Sequence, residues 1–455
     1  MLKKLSFTNF KSWPKADLTL APITGLFGTN SSGKTSILQF LLLLKQTKEA
    51  TDRAISLELN GPYVQLGTMK DAMHRHDESL RLALTLTFSV AEELKVADPT
   101  GRRIEEIASG RDITYQAEVS VYQMAPRSEA LSYTVGGLTF ALARGEGEKR
   151  EFDLKVVPER RFQFKRTRGR PPILPGPIKS YAFPDQARTN FQNAAFLADL
   201  EAAYEAAIER MFYLGPLRDY PQRDYLWARS RPTDVGRRGE RAIDAILAAT
   251  EASEFLYLDP ERRKGRKTFQ QMVAYWLREL GLIDSFTVEE IKQGTNRWQA
   301  LVVTRPGGSE VLLTDVGFGV SQVLPVVTLL LYVPEGSTVI LEQPEIHLHP
   351  LAQANLADVI IYAAQRRRVQ VIVESHSEHL LLRLQRRIAE QQLSAKDVKV
   401  YFSDAPNGVS RLTELELDLF GNIQNWPDKF MGDAFGETAA AERARLKRQD
   451  PKVAE

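Results

Sequence analysis

The sequence predicts an α/β fold with a sizeable antiparallel sheet built into it, and three observations carry that expectation. Short apolar runs alternate with helical stretches at the start of the chain and again over its last third. Between them, residues 80–160 alternate apolar with polar side chains at a period of two, as half-buried strands do. No stretch sustains heptads, so a long coiled-coil arm is not expected.

In chain order, residues 2–10 and 16–20 read as strands, and 23–27 is a short apolar run ending in Gly28. From Thr35 the period becomes helical, with Ile37, Leu38, Phe40, Leu41, Leu42 and Leu44 forming a buried face. Residues 79–90 alternate cleanly, 113–123 loosely, and 131–143 and 151–157 complete the antiparallel set. Residues 160–177 pack six Lys/Arg and four Pro among few apolar positions and read as an exposed loop. One amphipathic helix of about 20 residues is expected over 190–212, with two more over 240–250 and 268–280. Strands 300–304 and 311–314, helix 321–332, strand 338–341, helix 350–365, strand 370–374, helix 378–391 and strand 398–402 follow.

The 455 residues are too many for one ordinary domain. With 43% hydrophobic and 26% charged residues, the composition excludes a disordered or fibrous chain. Lys+Arg 60 against Asp+Glu 58 leaves +2, so affinity for polyanions must be sought in local patches. The absence of cysteine excludes disulfides, thiolate metal sites and cysteine nucleophiles. No signal peptide is seen, and the longest apolar stretch, 323–333, falls well short of the roughly 20 residues of a membrane span. A cytoplasmic protein without membrane contact is expected.

Residues 28–35 (GTNSSGKT) fit the pattern G-x-x-x-x-G-K-[ST], set between a strand and a helix. Gly28 and Gly33 let the backbone of Asn30, Ser31 and Ser32 wrap phosphates with inward N–H groups. Lys34 would bridge the β- and γ-phosphates of ATP and Thr35 would ligate Mg²⁺, while Ser36 follows in the first helical turn, whose positive end adds attraction. Val339-Ile-Leu-Glu342-Gln343-Pro-Glu345 is an apolar strand ending in acids, suited to bring Glu342 to Mg²⁺. Val371-Ile-Val-Glu374-Ser-His376 is a second buried strand ending in polar groups. Between loop and acid strand, Gly317-Phe-Gly319-Val-Ser321-Gln322 is a glycine-rich turn opening a helix, another place for phosphate.

In this order the four pieces resemble ABC-class ATPases of the SMC, RecF and OLD type. The resemblance implies Lys34 and Thr35 as the Walker A, Glu342 as the Walker B acid, Gly317 to Gln322 as the signature turn and His376 as the switch histidine. The family's signature turn meets the ATP of the opposite subunit, so a homodimer with two ATPs between its heads is implied. The strings FTNFKSW, GTNSSGKTSIL, YLGPLRDYPQRDY, DVGFGVSQVLP, ILEQPEIHLHP, VIVESHSEHLLLRL and GNIQNWPDKF resemble stand-alone OLD-like prokaryotic ATPases. Relatives occur in anti-phage defence operons beside a separate nuclease or toxin. On this basis the fold is expected to be an ABC-type P-loop ATPase head with an antiparallel β subdomain and an inserted helical region. Residues 1–95 carry the Walker A part, 96–180 the β-rich part and basic loop, and 181–295 a mainly helical insert. Residues 296–403 complete the head, and 404–455 form a tail.

One departure stands out. The glutamate that usually follows the Mg²⁺ carboxylate is replaced by Gln343, which orients water but cannot take its proton. Slow hydrolysis is expected, with Glu345 or His376 assisting. Gln65 is a candidate for the Q-loop that touches Mg²⁺. DNA or RNA contact is entertained at the basic runs between Arg160 and Arg170, where Phe162 and Phe164 interleave as for a single strand, and between Arg262 and Lys267. Arg218, Arg223, Arg237 and Arg238, around Tyr220 and Tyr225, are candidates for a subunit interface. Two functions remain open: an ATP-dependent dimeric switch acting on nucleic acid or a separate effector, and a non-catalytic ATP-bound scaffold for protein partners.

Overall fold

The computed structural model describes residues 1–100, 105–145, 151–159, 161–169, 173–259, 261–427, 443 and 445. The elements of the first half are β1 (Leu2–Phe10), β2 (Trp13–Thr19), β3 (Ile23–Gly28), α1 (Lys34–Glu49), α2 (Met69–Ala72), β4 (Leu82–Asp98), β5 (Glu105–Tyr122), β6 (Ala125–Val135), β7 (Leu138–Arg144), β8 (Phe152–Val157), α3 (Asp185–Asn190), α4 (Leu197–Glu209) and β9 (Met211–Leu214). There follow β10 (Tyr225–Leu226), α5 (Ala242–Glu251), β11 (Phe255–Asp259), β12 (Lys264–Thr268), α6 (Phe269–Glu279), β13 (Ser285–Glu290), β14 (Arg297–Val303) and β15 (Val311–Leu312). The chain closes with α7 (Phe318–Tyr332), β16 (Thr338–Glu342), α8 (Pro350–Arg366), β17 (Gln370–Glu374), α9 (Glu378–Ala389), β18 (Val398–Asp404) and β19 (Arg411–Leu415).

Two sheets organise the fold. A six-stranded sheet runs β19-β18-β3-β17-β16-β9, parallel from β18 to β9, with β19 antiparallel at one edge. A seven-stranded antiparallel sheet runs β2-β1-β4-β5-β6-β7-β8. The parallel strands are apolar on both faces because helices cover both. Val339, Leu341, Val371 and Val373 join one core cluster with α5–α9, whereas Ile340 and Ile372 join the other with α1, α4 and the antiparallel sheet. Gln370, 1% exposed, ties the sheets together: Leu2 N donates to its Oε1 at 2.9 Å, and its Nε2 donates to Leu2 O at 2.8 Å and Ala21 O at 3.1 Å. Among the described residues no helix forms a long coiled coil, α8 having 17 residues, and none is long and apolar enough to cross a membrane.

Two sequence expectations need correction. Residues 190–212 are not one helix: α3 ends at Asn190, α4 covers Leu197–Glu209, and Met211–Leu214 is the edge strand β9, paired with β16. The break is made by buried Asn193, whose Oδ1 accepts from Lys165 N at 2.9 Å and whose Nδ2 donates to Gln163 O at 3.0 Å. A four-residue apolar run after a helix reads like its last turn, because periodicity is ambiguous at that length. Residues 131–143 form two strands, since Gly136 (φ 56°) and Gly137 (φ 78°) make the two-residue turn of a hairpin whose first strand ends at Val135 and second begins at Leu138. Within residues 181–295, helices α3 to α6 predominate; β9 belongs to the parallel sheet and α5 and α6 to its core, alongside strands β10 to β13. β4 spans residue 95.

The interface between α4 and the antiparallel sheet is a tyrosine cluster. Tyr204 lies against Tyr115 and Tyr181, each 4.7 Å away between ring centroids, and its hydroxyl has no partner. The Tyr133 hydroxyl donates to Tyr181 O at 2.7 Å. A buried hydroxyl without a partner costs stability, whereas removing a bonded one leaves a carbonyl unsatisfied. Tyr204→Phe should therefore be neutral or stabilising by about 1 kcal/mol, and Tyr133→Phe destabilising by about 1–2 kcal/mol, in urea unfolding.

Candidate functional site

The carboxyl ends of the parallel strands converge at the start of α1. β3 hands over to a loop in which Gly28 (φ 140°), Ser31 (φ 59°) and Gly33 (φ 92°) take left-handed backbone conformations. A Cβ at Gly28 would lie 2.0 Å from Ser403 O, and one at Gly33 would lie 2.4 Å from Ser410 Oγ and 2.7 Å from Trp13 Nε1. The loop is thus clamped by β18 and by the β1–β2 turn. Ser403 Oγ donates to Ser32 O at 2.7 Å and Trp13 Nε1 donates to Gly33 O at 3.0 Å. Lys34 Nζ donates to Gly28 O at 3.1 Å and Thr29 O at 2.7 Å, placing the ammonium inside the loop.

Around this loop lies a cavity of about 450 Å³ lined by Asn30 to Ser36, Ser12, Gln39, Gln343, Glu374 and His376. Of the expected residues, the structure brings together Asn30, Ser31, Ser32, Gly33, Lys34, Thr35, Ser36, Gln343 and His376 on that wall. Glu342 stands one strand away, its Oε2 accepting from the Tyr213 hydroxyl at 2.8 Å. Glu345 is buried behind His376, its Oε1 accepting from His376 N at 2.8 Å and its Oε2 without a partner. Gln65 is exposed in the 60–67 turn and does not line the cavity. Gly317 caps α7, which continues through Pro325, and neither it nor Gly319, Ser321 or Gln322 lines this cavity. Ser321 Oγ donates to Phe318 O at 2.8 Å, and the Gln322 amide is buried with its Nε2 unpartnered.

The expected platform for single strands is not present as drawn. Phe162 and Phe164 pack into an aromatic cluster with Phe140, Phe191 and Phe196, so their faces are turned to the core. Arg160 and Arg170, at the ends of that run, and the tail between 428 and 442 lie outside the described residues. Arg218 is likewise no exposed interface residue: it is 4% exposed, and its guanidinium donates to Glu342 O at 3.3 Å and Gln343 O at 3.4 Å.

Burial sets the electrostatics. The Glu374 carboxyl is pushed up to about 7 by burial, with the neighbouring Glu342 adding to the effect and the Thr35 hydroxyl and Lys34 opposing it. Burial raises Glu342 too, against the Tyr213 hydrogen bond. It lowers Lys34, and together with Lys34 it lowers His376, disfavouring the charged imidazole. Arg218 is lowered to about 10 by burial and keeps its charge at pH 7. Gln343 takes a left-handed φ of 46°, an uncommon conformation for a residue other than glycine, and its N donates to Glu374 O at 2.8 Å. Sequence reasoning passed over Tyr213 and Gln39, gave Arg218 to a subunit interface and assigned Glu374 no role of its own. The signal for Glu374 was a carboxylate ending an apolar run.

The comparisons with known proteins bear on the same two segments. Residues 1–143 match a family described as an AAA ATPase domain, and residues 259–383 one described as "AAA domain, putative AbiEii toxin, Type IV TA system". The phosphate loop and the two strands that end in acids thus fall in segments that match AAA-type ATPase domains. Residues 393–440 of the chain match a family described as a protein of unknown function (DUF3696). Among solved structures it is similar to the SMC head domain from Thermotoga maritima, at 11% identity over 91% of this chain and 99% of that one, with a TM-score of 0.41. It is also similar to an SMC head bound to the C-winged helix domain of ScpA (11%, 91% and 98%, 0.45) and to an SMC head with an extended coiled coil bound to the C-terminal domain of ScpA, from Pyrococcus furiosus (10%, 98% and 99%, 0.44).

The loop's need for glycine is testable. Gly33→Ala should weaken ATP binding by about tenfold or more, since strain at a left-handed φ costs about 1–3 kcal/mol and the Cβ has atoms in its way. Gly307→Ala, at φ 73° with nothing near its Cβ, should leave binding unchanged. Titration with a fluorescent ATP analogue reads both, and equal affinities would refute the clamp.

Proposed function

We propose that the protein binds Mg²⁺–ATP in this cavity, hydrolyses it slowly, and acts as an ATP-dependent dimeric switch that controls a separate effector such as a nuclease or toxin. The observation that carries the reading is that Gln343 lines the phosphate-loop cavity; the family resemblance gives its place in the sequence to a water-activating glutamate. The residues fit the nucleotide: a glycine cradle that a Cβ would fill, Lys34 within it, and Thr35 at the first turn of α1. Mg²⁺, when bound, neutralises phosphate charge between Thr35 and the acids at the ends of β16 and β17.

In this reading Gly28, Asn30, Ser31, Ser32 and Gly33 hold the phosphates by backbone N–H groups, with Lys34 and Ser36 beside them. Gln343 orients the attacking water through its amide without taking a proton. His376, as a neutral imidazole, donates one N–H toward the terminal phosphate, and Glu345 orients its backbone. Arg218 holds the carbonyls on either side of the Gln343 peptide and so keeps the strained residue aimed. The dimer is supported by exposed aromatic surface at the signature turn: Phe318 contacts exposed Tyr220 at 5.4 Å and His347 at 4.9 Å between centroids. Gly317, Gly319, Ser321 and Gln322 would there meet the ATP of the second copy. A defence role is supported by the toxin–antitoxin description of the family matched by residues 259–383. The scaffold reading rests on the same Gln343.

Two experiments decide these points. ATP should convert the purified protein to a dimer by mass, and Lys34→Ala should abolish that shift; assembly indifferent to ATP favours the scaffold. Gln343→Glu should raise turnover by about 100-fold, the lower end of what a general base contributes. A wild-type rate of about 10 s⁻¹ or more, ordinary for an enzyme, would sink the slow switch.

A further inference from the structure

We propose that Glu374, at the end of β17, is the carboxylate that orders Thr35 and holds the nucleotide's divalent cation, with Glu342 supporting it from the neighbouring strand. The proposal rests on the ATP-site reading above and revises its motif-based assignment of the cation to Glu342.

The first ground is register. β16 and β17 are parallel with Glu342 directly opposite Glu374, so the two carboxylates leave the sheet at one level and on one face. That face is the one covered by α1, because Ile340 and Ile372, two residues earlier on each strand, pack into the cluster that contains Ile37, Leu38 and Leu41. Both acids therefore face the helix that begins with Lys34 and Thr35.

The second ground is what each carboxylate touches. The Thr35 hydroxyl donates to Glu374 Oε1 at 3.0 Å, which leaves the lone pairs of Thr35 Oγ1 for a cation. Glu342 Oε2 instead receives the Tyr213 hydroxyl from edge strand β9 at 2.8 Å. Glu374 lines the cavity and Glu342 does not. The inner strand thus delivers the acid to the phosphate side, and the acid strand named by the motif is held back by its outer neighbour.

The third ground is unmet demand. Glu374 is 2% exposed, and its Oε2 has no hydrogen-bond partner. A buried carboxylate beside a second, half-buried one is costly unless charge is supplied to the pair. The Arg218 guanidinium directs its Nη2 to the carbonyls of Glu342 and Gln343 and makes no hydrogen bond to Glu374, and the Lys34 ammonium lies against Gly28 O and Thr29 O. A divalent cation between Thr35 Oγ1 and Glu374 Oε2 meets the demand with hard oxygen donors of the type Mg²⁺ and Mn²⁺ prefer. The backbone bond from Gln343 N to Glu374 O at 2.8 Å couples this corner to the water-orienting residue.

The test is Mn²⁺ binding followed by electron paramagnetic resonance on protein saturated with a non-hydrolysable ATP analogue, alongside analogue binding in excess EDTA. Glu374→Gln should weaken Mn²⁺ on the order of 10- to 100-fold while metal-free analogue binding holds. Glu342→Gln should weaken Mn²⁺ less. Wild-type Mn²⁺ affinity in Glu374→Gln overturns the assignment and leaves the ATP site standing, whereas wild-type protein that binds no analogue refutes the ATP site itself. If the glutamine variant does not fold, Glu374→Asp keeps the charge and withdraws it by one methylene. Weakened Mn²⁺ there supports the proposal, and unchanged Mn²⁺ overturns it.

Discussion

The architecture turns on the order and register of the parallel sheet. With β3 between β18 and β17, and β16 beyond β17, the phosphate loop emerges next to the strand that ends in Glu374 and one strand away from that ending in Glu342. Hydrogen-bonded neighbours in such a sheet are about 4.8 Å apart, so this order decides which side chains can reach α1 and which cannot. Changing the register of β17 by one residue would turn Glu374 to the opposite face and bury it against α7 and α8.

The rest of the molecule keeps that sheet in place. The antiparallel sheet supplies the second cover for α1, and Gln370 bonds both Leu2 and Ala21, so the two sheets cannot slide independently. Ser403 of β18, Ser410 just before β19 and Trp13 at the start of β2 press on the phosphate loop. The loop's unusual dihedrals are held by these contacts before any ligand arrives, which is what preorganisation means for a phosphate site. Gln343 is held in the same way, with a left-handed φ, a backbone bond to β17 and a buried arginine on its carbonyl. Strain of that kind persists only where several contacts fix it.

Much of this was legible in the sequence. The phosphate loop, its strand and its helix were readable because the pattern needs glycine at Gly28 and Gly33 and a helix immediately after. The apolar strands ending at Glu342 and Glu374 were readable because strands buried on both faces are runs without polar interruptions. The β9 strand was hidden because four apolar residues after a helix look like more helix. The fate of Phe162 and Phe164 was hidden because an aromatic among arginines reads the same whether it faces solvent or a core provided by Phe140 and Phe196, distant in sequence.

The sequence by itself determined the α/β class, the identity of the phosphate loop and the amide at Gln343, all of which depend on local backbone needs and residue chemistry. Only the tertiary structure decided that Glu374 meets Thr35, that Tyr213 occupies Glu342, that Arg218 is buried under Gln343 and that Gln65 stays outside the cavity. Those facts depend on strand order and on pairs more than a hundred residues apart, such as Thr35 with Glu374 and Tyr213 with Glu342. Local pattern specifies which residues end each strand, but which of those ends lie side by side is set by how the strands pack.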